Sequence, residues 1–347
     1  MEPTKNGRES YRESRAAWDS PTSDDFFDAT PLWTHSPRHV RVSAPGKINA
    51  YFRVGPLRED GYHNVASTYL AVSRHEEVFA SSKPGSPATD VSVSISPAST
   101  LEPAELAKIP LDGRNLAVKA ALLIAEIADN PCGVHLEITK HVPIAGGMGG
   151  GSADAAATLV ACDALWRTGL CREELSQIGA ELGADVPFAL LGGAAVGLGV
   201  GDKLTEALAP TPLHWVLVPA SHGLSTPVVY GKLDELRVAG GVEAEDPRQV
   251  APGVLAALRA GDAHALAPYL HNDLQAAALA LAPELADVLA LGDELGALAS
   301  LVSGSGPTLA FLASSGEHAA ELAADFSARG HEAWAVAGPV HGAAIIA

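Results

Sequence analysis

The sequence predicts a globular protein of two domains that combines strands with helices. The length of 347 residues is close to the size at which a chain divides into two domains. Hydrophobic residues make up 47% of the chain and charged residues 18%, which favours a packed core over a disordered or fibrous protein. Alternating patterns typical of strands and alanine-rich patterns typical of helices both occur along the chain.

The chain is strongly acidic. It has 23 Lys and Arg residues against 41 Asp and Glu residues, which gives a formal charge of -18 at pH 7. Such a chain repels nucleic acid and anionic membranes on average, so we expect neither as a partner. A phosphate group would have to be bound locally, by backbone N–H groups, a helix N-terminus, one or two cations or a metal ion.

The cysteines and the apolar segments predict a cytoplasmic protein. Cys132, Cys162 and Cys171 form no C-x-x-C pair and show no metal-ligand spacing, so neither a disulfide framework nor a zinc site is indicated. No apolar run approaches the roughly 18 residues of a membrane span, and the N-terminus lacks the apolar core of a signal peptide. The sequence leaves the oligomeric state open.

We predict three regions along the chain. Residues 1–38 mix charges, Ser, Pro and isolated aromatic residues without a period, so we expect a disordered extension there. Residues 39–208 are predicted to form an N-terminal domain and residues 209–347 a C-terminal domain. The first strand, His39–Ser43, is expected to stop at a turn formed by Ala44-Pro45-Gly46.

A strand, a glycine-rich loop and a helix follow one another within the N-terminal domain. Val134–Ile138 alternates between apolar and polar residues, which predicts a half-buried strand. Five of the six residues from Gly146 to Gly151 are glycine. Ser152 is a candidate N-cap, and the alanine-rich pattern after it predicts a helix over Ala153–Trp166.

Further elements are predicted on both sides of residue 208. Arg172–Leu182 has helical periodicity and ends shortly before Asp185, and Ala195–Leu204 is predicted to be one strand. The C-terminal domain begins with a strand over Leu213–Val218. We then expect several helices between residues 248 and 300, followed by a strand, a loop, a strand, a helix and a final strand near residues 332–337.

The glycine run is suited to binding an anion. Without Cβ atoms its backbone can approach a phosphate closely and turn N–H groups towards it, and the following helix N-terminus adds partial positive charge. The run lacks the lysine of G-x-x-x-x-G-K-[ST] and does not match G-x-G-x-x-G, so it is neither a Walker A loop nor a dinucleotide-binding fingerprint. The alternative is a flexible surface linker, which the position between a strand and a helix disfavours.

Three separated segments resemble the motifs of the GHMP kinases, the superfamily of galactokinase, homoserine kinase, mevalonate kinase and phosphomevalonate kinase. They are Ala44–Asn49, Pro143–Ala153 and Val302–Thr308, in the order of the family. The resemblance covers essentially residues 40–340. It implies a kinase that transfers a phosphoryl group from ATP, with Mg²⁺, to a small-molecule alcohol. It also implies an α+β fold with a ribosomal-S5-like N-terminal domain and a ferredoxin-like C-terminal domain.

Two more segments are similar to one branch of this family, which phosphorylates the 2-hydroxyl of a CDP-linked sugar alcohol in isoprenoid precursor synthesis. They are Asp60–His63 and Leu182–Phe188. One alternative is a homoserine or mevalonate type of kinase with the same ATP site and another acceptor. Another alternative is a nucleotide-binding protein without catalysis, which the retention of both Lys47 and Asp185 disfavours.

The resemblance implies that Lys47 and Asp185 are catalytic. Asp185 is similar to the aspartate that accepts or orients the proton of the substrate hydroxyl, and Lys47 to the lysine that pairs with it and stabilises charge on the γ-phosphate. Because a carboxylate is a far weaker base than an alkoxide, we expect orientation with late proton transfer. Taken singly, Lys47 could be a surface lysine after the turn that ends the first strand, and Asp185 a turn or capping residue.

The same resemblance implies contacts to the acceptor. Tyr62 and Tyr230 would sandwich the cytosine ring and His63 would hydrogen-bond its edge. Asn49 would contact the sugar-alcohol end. The alternatives are a core or turn aromatic residue for Tyr230 and, for Asn49, an amide that holds its own backbone.

The glycine segment is implied to bind ATP. The residues concerned are Pro143, Ile144, Ala145, Gly146, Gly147, Met148, Gly149, Gly150, Gly151, Ser152 and Ala153. Ser152 would contact the β-phosphate or Mg²⁺, or would only cap the helix, and other metal ligands stay open. Ser303 and Gly304 belong to a second tight loop that we expect near the substrate or the nucleotide phosphates, although a plain hairpin turn is the alternative.

Overall fold

The computed structural model describes residues 38–220 and 222–347. The predicted disordered extension, residues 1–38, lies outside the described residues apart from Arg38. The first half contains β1 (His39–Leu57), β2 (His63–Lys83), β3 (Val91–Ile95), α1 (Pro103–Leu106), α2 (Leu116–Ile127), β4 (Gly133–Thr139), α3 (Gly150–Trp166), α4 (Arg172–Leu182), α5 (Asp185–Leu191), β5 (Ala194–Leu198) and β6 (Lys203–Ala207).

The second half contains β7 (Leu213–Val218), α6 (Thr226–Gly240), α7 (Pro252–Ala260), α8 (Ala263–Leu266), a 3-10 helix (Ala267–Tyr269), β8 (His271–Asn272), α9 (Gln275–Leu281), α10 (Glu284–Glu294), β9 (Ala299–Val302), β10 (Leu309–Ala313), α11 (Gly316–Ala328), β11 (Trp334–Gly338) and β12 (Ala344–Ile345). The predicted strands and helices on either side of the 303–307 loop are therefore present.

The first sheet is built around the long antiparallel pair β1 and β2. Its strand order is β12-β1-β2-β4-β3, and β5 pairs with β2 and with β6. The prediction that the first strand stops at Ala44-Pro45-Gly46 is wrong, because β1 continues to Leu57. The register of β1 against β2 shifts between Pro45 and Gly46. Such an irregularity bends a strand and accommodates a proline that lacks an N–H, so Lys47 lies inside the strand.

The predicted single strand over Ala195–Leu204 is a hairpin instead. β5 and β6 pair with each other, and the turn between them includes Gly199 and Gly201, with φ angles of 70° and 97°. Positive φ angles of this kind suit glycine and let the chain reverse. The alternation of apolar residues does not by itself mark this reversal, and the pattern therefore predicts one strand.

Helix α3 is buried along most of its length. Ala153, Ala155, Ala156, Ala157 and Ala161 are all fully buried. The helix packs against β1 and β2 on one side and against α2 and α5 on others. Small side chains let these backbones approach closely, and a helix that is buried on several faces needs apolar residues all round. The alanine-rich composition of α3 follows from this position.

The second sheet has the strand order β11-β7-β10-β9, and all of its neighbouring pairs are antiparallel. In chain order the elements run strand, helices, two strands, helix, strand. Two interleaved strand-helix-strand units of this kind form the ferredoxin-like arrangement. The predicted ferredoxin-like topology of the C-terminal half is thus present.

The second half of the chain contributes two strands to the first sheet, and the two sheets share a hydrophobic core. β8 and β12, from the second half of the chain, both pair with β1 of the first sheet. Ile48 and Leu70 of the first sheet belong to one buried cluster with Trp215 and Leu217 of β7. The chain changes from the first sheet to the second between β6 and β7. The division into domains at residues 39–208 and 209–347 stays a prediction.

Gly192 provides a test of how the C-terminal segment closes onto the first sheet. Its φ is 68°, it forms a bridge with His341, and a Cβ there would overlap Gly342 N. We expect Gly192→Ala to lower the free energy of unfolding by roughly 3 kcal/mol or more, from backbone strain and overpacking together. Urea unfolding measures the change.

Gly193→Ala is the matched control. Gly193 has a φ of 66°, but a Cβ there would meet nothing within 4 Å. The control should therefore lose only the backbone cost, about 1–2 kcal/mol. Equal losses in the two variants would contradict the close packing of residues 192 and 342.

Candidate active site

The glycine loop, residues 143–151, lies at the centre of a cleft of about 570 Å³. The cleft is also bordered by β1, by the start of α2, by the start of α5, by α6 and by the loop at residues 303–307. The predicted site residues that line it are Lys47, Asn49, Pro143, Ile144, Ala145, Gly146, Gly147, Gly149, Gly150, Gly151, Ser152, Asp185, Tyr230 and Gly304. Most of the predicted ATP segment and both predicted catalytic residues therefore face one space.

The backbone of the glycine loop alternates between two conformations. Ala145, Gly147 and Gly149 have φ angles of 53°, 77° and 72°, whereas Gly146, Met148 and Gly150 do not have positive φ. Successive residues of opposite hand turn neighbouring N–H groups towards one side and form an anion-binding concavity. A positive φ at an alanine is uncommon, which indicates that the surroundings impose this conformation.

Two other segments hold the glycine loop. Lys47 N donates to Met148 O at 2.9 Å, and Thr308 N donates to Gly146 O at 3.3 Å. A Cβ at Gly147 would lie 2.6 Å from Ser303 O, so the absence of a side chain lets the 303–307 loop pack against the glycine loop. Met148 is fully buried and anchors the loop in the hydrophobic core. The three segments that are far apart in sequence meet here.

Helix α3 begins earlier than predicted. Its first residue is Gly150, and its N-cap is Gly149 in a left-handed conformation. Ser152 therefore lies in the first turn of α3 and is not the N-cap, so that prediction is wrong. Ala153, the next residue of α3, is fully buried in the core and does not line the cleft. A glycine at the cap lets the loop run directly into the helix, whose N-terminus faces the cleft and favours negative charge.

Lys47 and Asp185 meet beside the glycine loop. Lys47 Nζ lies 3.8 Å from Asp185 Oδ2, and the side chains are 11% and 31% exposed. A Cβ at Gly149 would lie 3.4 Å from Lys47 Cγ and 3.7 Å from Asp185 Oδ2. The amine, the carboxylate and the loop thus border the same point. Asp185 is the first residue of α5, not a turn residue, and the helix dipole stabilises a carboxylate at that position.

Asn49 fixes the position of the lysine amine. Lys47 and Asn49 are two positions apart on β1 and so lie on the same face of the strand. Lys47 Nζ donates to Asn49 Oδ1 at 2.8 Å, and Asn49 Nδ2 donates to Ser67 Oγ at 2.7 Å. Asn49 N donates to Ser303 Oγ at 3.3 Å. Asn49 therefore links the first strand to the 303–307 loop.

A buried tyrosine lies under this group. Lys47 Nζ is 5.7 Å from the centroid of the Tyr69 ring, within the range of a cation–π contact. Burial, reinforced by the nearby Asp185 carboxylate, raises the pKa of the Tyr69 hydroxyl. The Tyr69 phenol therefore stays neutral, and its ring contacts the Lys47 amine without carrying a charge.

The predicted cytidine residues are only partly together. The rings of His63 and Tyr230 are in contact, with centroids 5.0 Å apart and planes tilted by 40°, and His63 Nε2 lies 3.0 Å from Asp234 Oδ1. Tyr230 and Asp234 are one turn apart on α6 and share a face. Tyr62 is 64% exposed and, like His63, does not line the cleft. Asp234 was not predicted, because its partner is remote in sequence.

A buried charged triad lies beneath the glycine loop and was not predicted. Lys140 Nζ is 2.8 Å from Glu76 Oε1 and 2.6 Å from Asp154 Oδ2. Burial raises the pKa of both carboxyls, that of Glu76 to about 7. Burial lowers the pKa of Lys140, but the two carboxylates outweigh it and raise this pKa overall. A charged residue in the apolar pattern of α3, Asp154, was the available signal for a buried pair.

The cleft is more basic than the chain as a whole. Among the described residues its charged lining consists of Lys47, Lys108, Arg114 and Lys140 against Asp154 and Asp185. Asp154 Oδ1 is buried and has no hydrogen-bond partner among those residues. Clefts lined by one sign of charge attract ligands of the opposite sign even when the net charge disfavours them. Local binding of an anion is therefore compatible with the acidic composition.

Within residues 38–220 and 222–347, no group of three or more His, Cys, Asp or Glu side chains is placed to hold a metal ion. No helix in the same ranges is long and apolar enough to cross a membrane.

Two family models match the chain. The model of the GHMP kinases N terminal domain matches residues 115–193, and the model of the GHMP kinases C terminal domain matches residues 254–332. The chain is also 62% identical over 310 residues to a protein of Arthrobacter sp. (strain FB24), which covers 89% of this chain and 95% of the relative. The chain therefore belongs to the GHMP kinase family. The Arthrobacter relative is named 4-diphosphocytidyl-2-C-methyl-D-erythritol kinase.

Solved structures show the same fold. A crystal structure of 4-(cytidine 5'-diphospho)-2C-methyl-D-erythritol kinase is 32% identical, with a TM-score of 0.69 over 86% of this chain and 99% of that one. A homoserine kinase from Cytophaga hutchinsonii is 20% identical, with a TM-score of 0.67 over 93% of this chain and 100% of that one, and shows the fold alone. The predicted family and the two-domain α+β kinase fold are confirmed.

The buried Glu76 predicts how stability depends on pH. Its pKa is raised to about 7 from an ordinary 4.5, so the folded protein holds this proton more tightly than the unfolded chain between those values. The contribution of Glu76 to the free energy of unfolding therefore falls as the pH rises through this window. At pH values above this window the contribution of Glu76 is constant.

The comparison of wild type with Glu76→Gln isolates this contribution, because glutamine does not titrate. The wild-type free energy of unfolding minus that of the variant should fall between about pH 5 and pH 7, by at most about 1.4 kcal/mol per pH unit. It should level off above about pH 7.5. Urea unfolding in matched buffers measures it, and a difference that is constant across this range would contradict the raised pKa.

Proposed function

We propose that this protein transfers the γ-phosphoryl group of ATP to the 2-hydroxyl of 4-diphosphocytidyl-2-C-methyl-D-erythritol. The products are the 2-phosphate and ADP, and the reaction belongs to the non-mevalonate route to isopentenyl diphosphate. The observation that carries the proposal is the meeting of Lys47 Nζ and Asp185 Oδ2, 3.8 Å apart, beside the glycine loop. The name of the 62% identical relative supports the choice of acceptor.

In this mechanism Asp185 and Lys47 act on the acceptor oxygen. Phosphoryl transfer needs in-line positioning and compensation of charge more than covalent chemistry. The Asp185 carboxylate orients the hydroxyl and accepts its proton late in the reaction. The Lys47 ammonium, held by Asn49 Oδ1 at 2.8 Å, stabilises the charge that develops between the acceptor oxygen and the transferred group.

ATP is held by the glycine loop and by the N-terminus of α3. The alternating backbone of residues 145–150 supplies N–H groups for the phosphates, and Ser152 in the first turn of α3 adds a hydroxyl. Met148 and Ala153 support this segment from the core. A phosphate at a helix N-terminus is favoured by the helix dipole as well as by hydrogen bonds.

The residues of the cleft fit a magnesium ion that arrives with ATP. Mg²⁺ is usually bound by one or two carboxylates together with the phosphates of the substrate and several waters. The Ser152 hydroxyl, which lines the cleft, would hold it together with the phosphates and waters. When bound, the ion neutralises charge on the β- and γ-phosphates.

The acceptor is proposed to lie between the two sheets. Tyr230 would stack on the cytosine, with His63 and Asp234 behind its ring. The roles of Tyr62 and His63 towards the cytosine stay predictions. Asn49, Ser303 and Gly304 would contact the sugar-alcohol end. A Cβ at Gly304 would lie 2.9 Å from Asn49 Oδ1, so glycine leaves room there.

Other assignments are less well supported. A kinase for homoserine or mevalonate would share the ATP site, but it would not need the Asp60–His63 segment or the ring contact between His63 and Tyr230. A protein without catalysis would not need Lys47 and Asp185 together. The cytoplasmic location and the absence of nucleic-acid and membrane partners stay predictions.

An acceptor panel tests the proposal. We expect ATP turnover with the CDP-linked methylerythritol, and turnover at least about a hundredfold lower with homoserine and mevalonate, since the cytidine contacts would be missing. Coupled ADP release measures the rates, and phosphorus NMR locates the new phosphate on the 2-hydroxyl. Phosphorylation of homoserine or mevalonate, with none of the CDP-linked alcohol, would reverse the assignment.

Asp185→Asn and Lys47→Ala test the catalytic roles. Each should lower kcat by at least about a thousandfold, because oriented acid–base and charge stabilisation are lost. The affinity for ATP should stay within about tenfold, since neither residue belongs to the phosphate cradle. Asp287→Asn and Lys119→Ala, exposed residues outside the cleft, are the matched controls. Full turnover in either test variant would refute the roles.

A further inference from the structure

The side chain of Glu76 is in close contact with the start of helix α3. Glu76 lies on β2 and is fully buried. A Cβ at Gly150, the first residue of α3, would lie 3.0 Å from Glu76 Oε1. The carboxylate is therefore in close contact with the segment where the glycine loop becomes a helix. Glu76 has no place in the proposed chemistry, because it does not line the cleft.

Glu76 also binds the backbone that leads into the glycine loop. Its Oε2 accepts a hydrogen bond from His141 N at 3.0 Å, and its Oε1 accepts one from Val142 N at 3.1 Å. These two residues directly precede Pro143, the first residue of the loop. One side chain thus fixes the entry of the loop and touches its exit.

Lys140 closes the link between the two ends of the loop. Its Nζ donates to Asp154 Oδ2 at 2.6 Å and lies 2.8 Å from Glu76 Oε1. Lys140 and Asp154 are 14 positions apart, and the glycine loop lies between them. The three charged side chains therefore tie β2, the residue directly after β4 and the second turn of α3 into one buried unit.

A glycine-rich segment needs such a tie if it is to keep one shape. Glycine loses more conformational freedom on ordering than any other residue, so a free loop would populate many shapes besides the one that cradles a phosphate. Only the fraction of molecules with the competent shape binds, and the apparent affinity falls in proportion to that fraction. Fixing both ends before the ligand arrives raises this fraction.

We propose that Glu76, Lys140 and Asp154 are positioning residues that hold the glycine loop in its nucleotide-binding shape before ATP binds. The inference rests on the proposed function in one respect, that the ligand of the loop is ATP. A buried triad of this kind adds little stability compared with apolar residues of the same volume. Its position at the two ends of the loop accounts for its presence better than stability does.

Asp154→Ala removes the link at the exit of the loop and leaves Lys140 and Glu76 as a balanced pair. If the competent fraction falls to about a tenth, the KM for ATP rises about tenfold, while kcat and the KM for the alcohol stay within about threefold. Without nucleotide, amide hydrogen exchange of residues 143–151 should become faster in proportion to the open fraction, about tenfold if that fraction rises from about a tenth to about nine tenths. Mass spectrometry of peptides from this segment measures the exchange.

Two further variants sharpen the test. Asp154→Asn keeps an oxygen that can accept from Lys140 Nζ, so it should restore the KM and the exchange to within about threefold of wild type. Because Asn is uncharged like Ala, this rescue excludes the loss of charge as the cause. Asp154→Ser, whose hydroxyl is too short to reach Lys140, should repeat the changes of Asp154→Ala and serves if that variant does not fold.

Asp163→Ala is the matched control in the same helix. Asp163 Oδ1 accepts from Leu170 N at 3.0 Å at the opposite end of α3. Its loss should lower the Tm and leave both the KM for ATP and the exchange of residues 143–151 within about twofold of wild type, because the exit of the loop is untouched.

Two outcomes would overturn the proposal. A higher KM for ATP with unchanged loop exchange would mean that Asp154 acts by touching the nucleotide. Faster exchange spread evenly over α3 and both sheets would mean a structural role alone. The exchange experiment contains no substrate, so it decides the positioning role even if the acceptor panel were to fail.

Discussion

The site depends on one contact, the approach of Lys47 to Asp185 beside Gly149. Both residues would be ordinary if they were apart, because a strand lysine and an aspartate at a helix start are common. Their meeting requires that β1, the glycine loop and α5 pack without intervening side chains, and a Cβ at Gly149 would already touch both residues. The glycines therefore have two functions. They shape a concavity for an anion, and they make room for the pair that we propose to act on the acceptor.

The net charge of the chain and the charge of the cleft lining have opposite signs. The formal charge of -18 keeps polyanions away from the surface on average, while the cleft is lined by more basic than acidic side chains among the described residues. Lys140 is not free to bind a phosphate, because Glu76 and Asp154 both hold its amine. Lys47 is held by a neutral amide and by one partly exposed carboxylate. The lysine with the weaker partners is the one that we propose to act on the acceptor oxygen.

Local patterns predicted much of the fold and failed where tertiary contacts decide. The β4 strand and the α4 helix have the predicted position, since their periodicity is regular and their ends are marked by Pro or Gly. The strand break at Pro45 was wrong, because pairing with β2 carries β1 through a register shift. Ser152 was wrong as a cap, because Gly149 takes that position. The triad of Glu76, Lys140 and Asp154 could not be found from spacing, since its members come from three elements.

In the proposed function the nucleotide is held by the first half of the chain, whereas the acceptor is contacted by residues of both halves. The glycine loop, Lys47 and Asp185 all belong to the first half, whereas Tyr230 and the 303–307 loop come from the second. Asn49 joins them, since its backbone donates to Ser303 and its side chain holds Lys47. The residues that would bind the phosphoryl donor and the proposed catalytic pair can therefore stay the same while the second half of the chain varies. A homoserine kinase shares this fold at 20% identity, so the fold cannot identify the acceptor. That identification has to rest on side chains such as His63 and Tyr230, whose rings contact each other with centroids 5.0 Å apart.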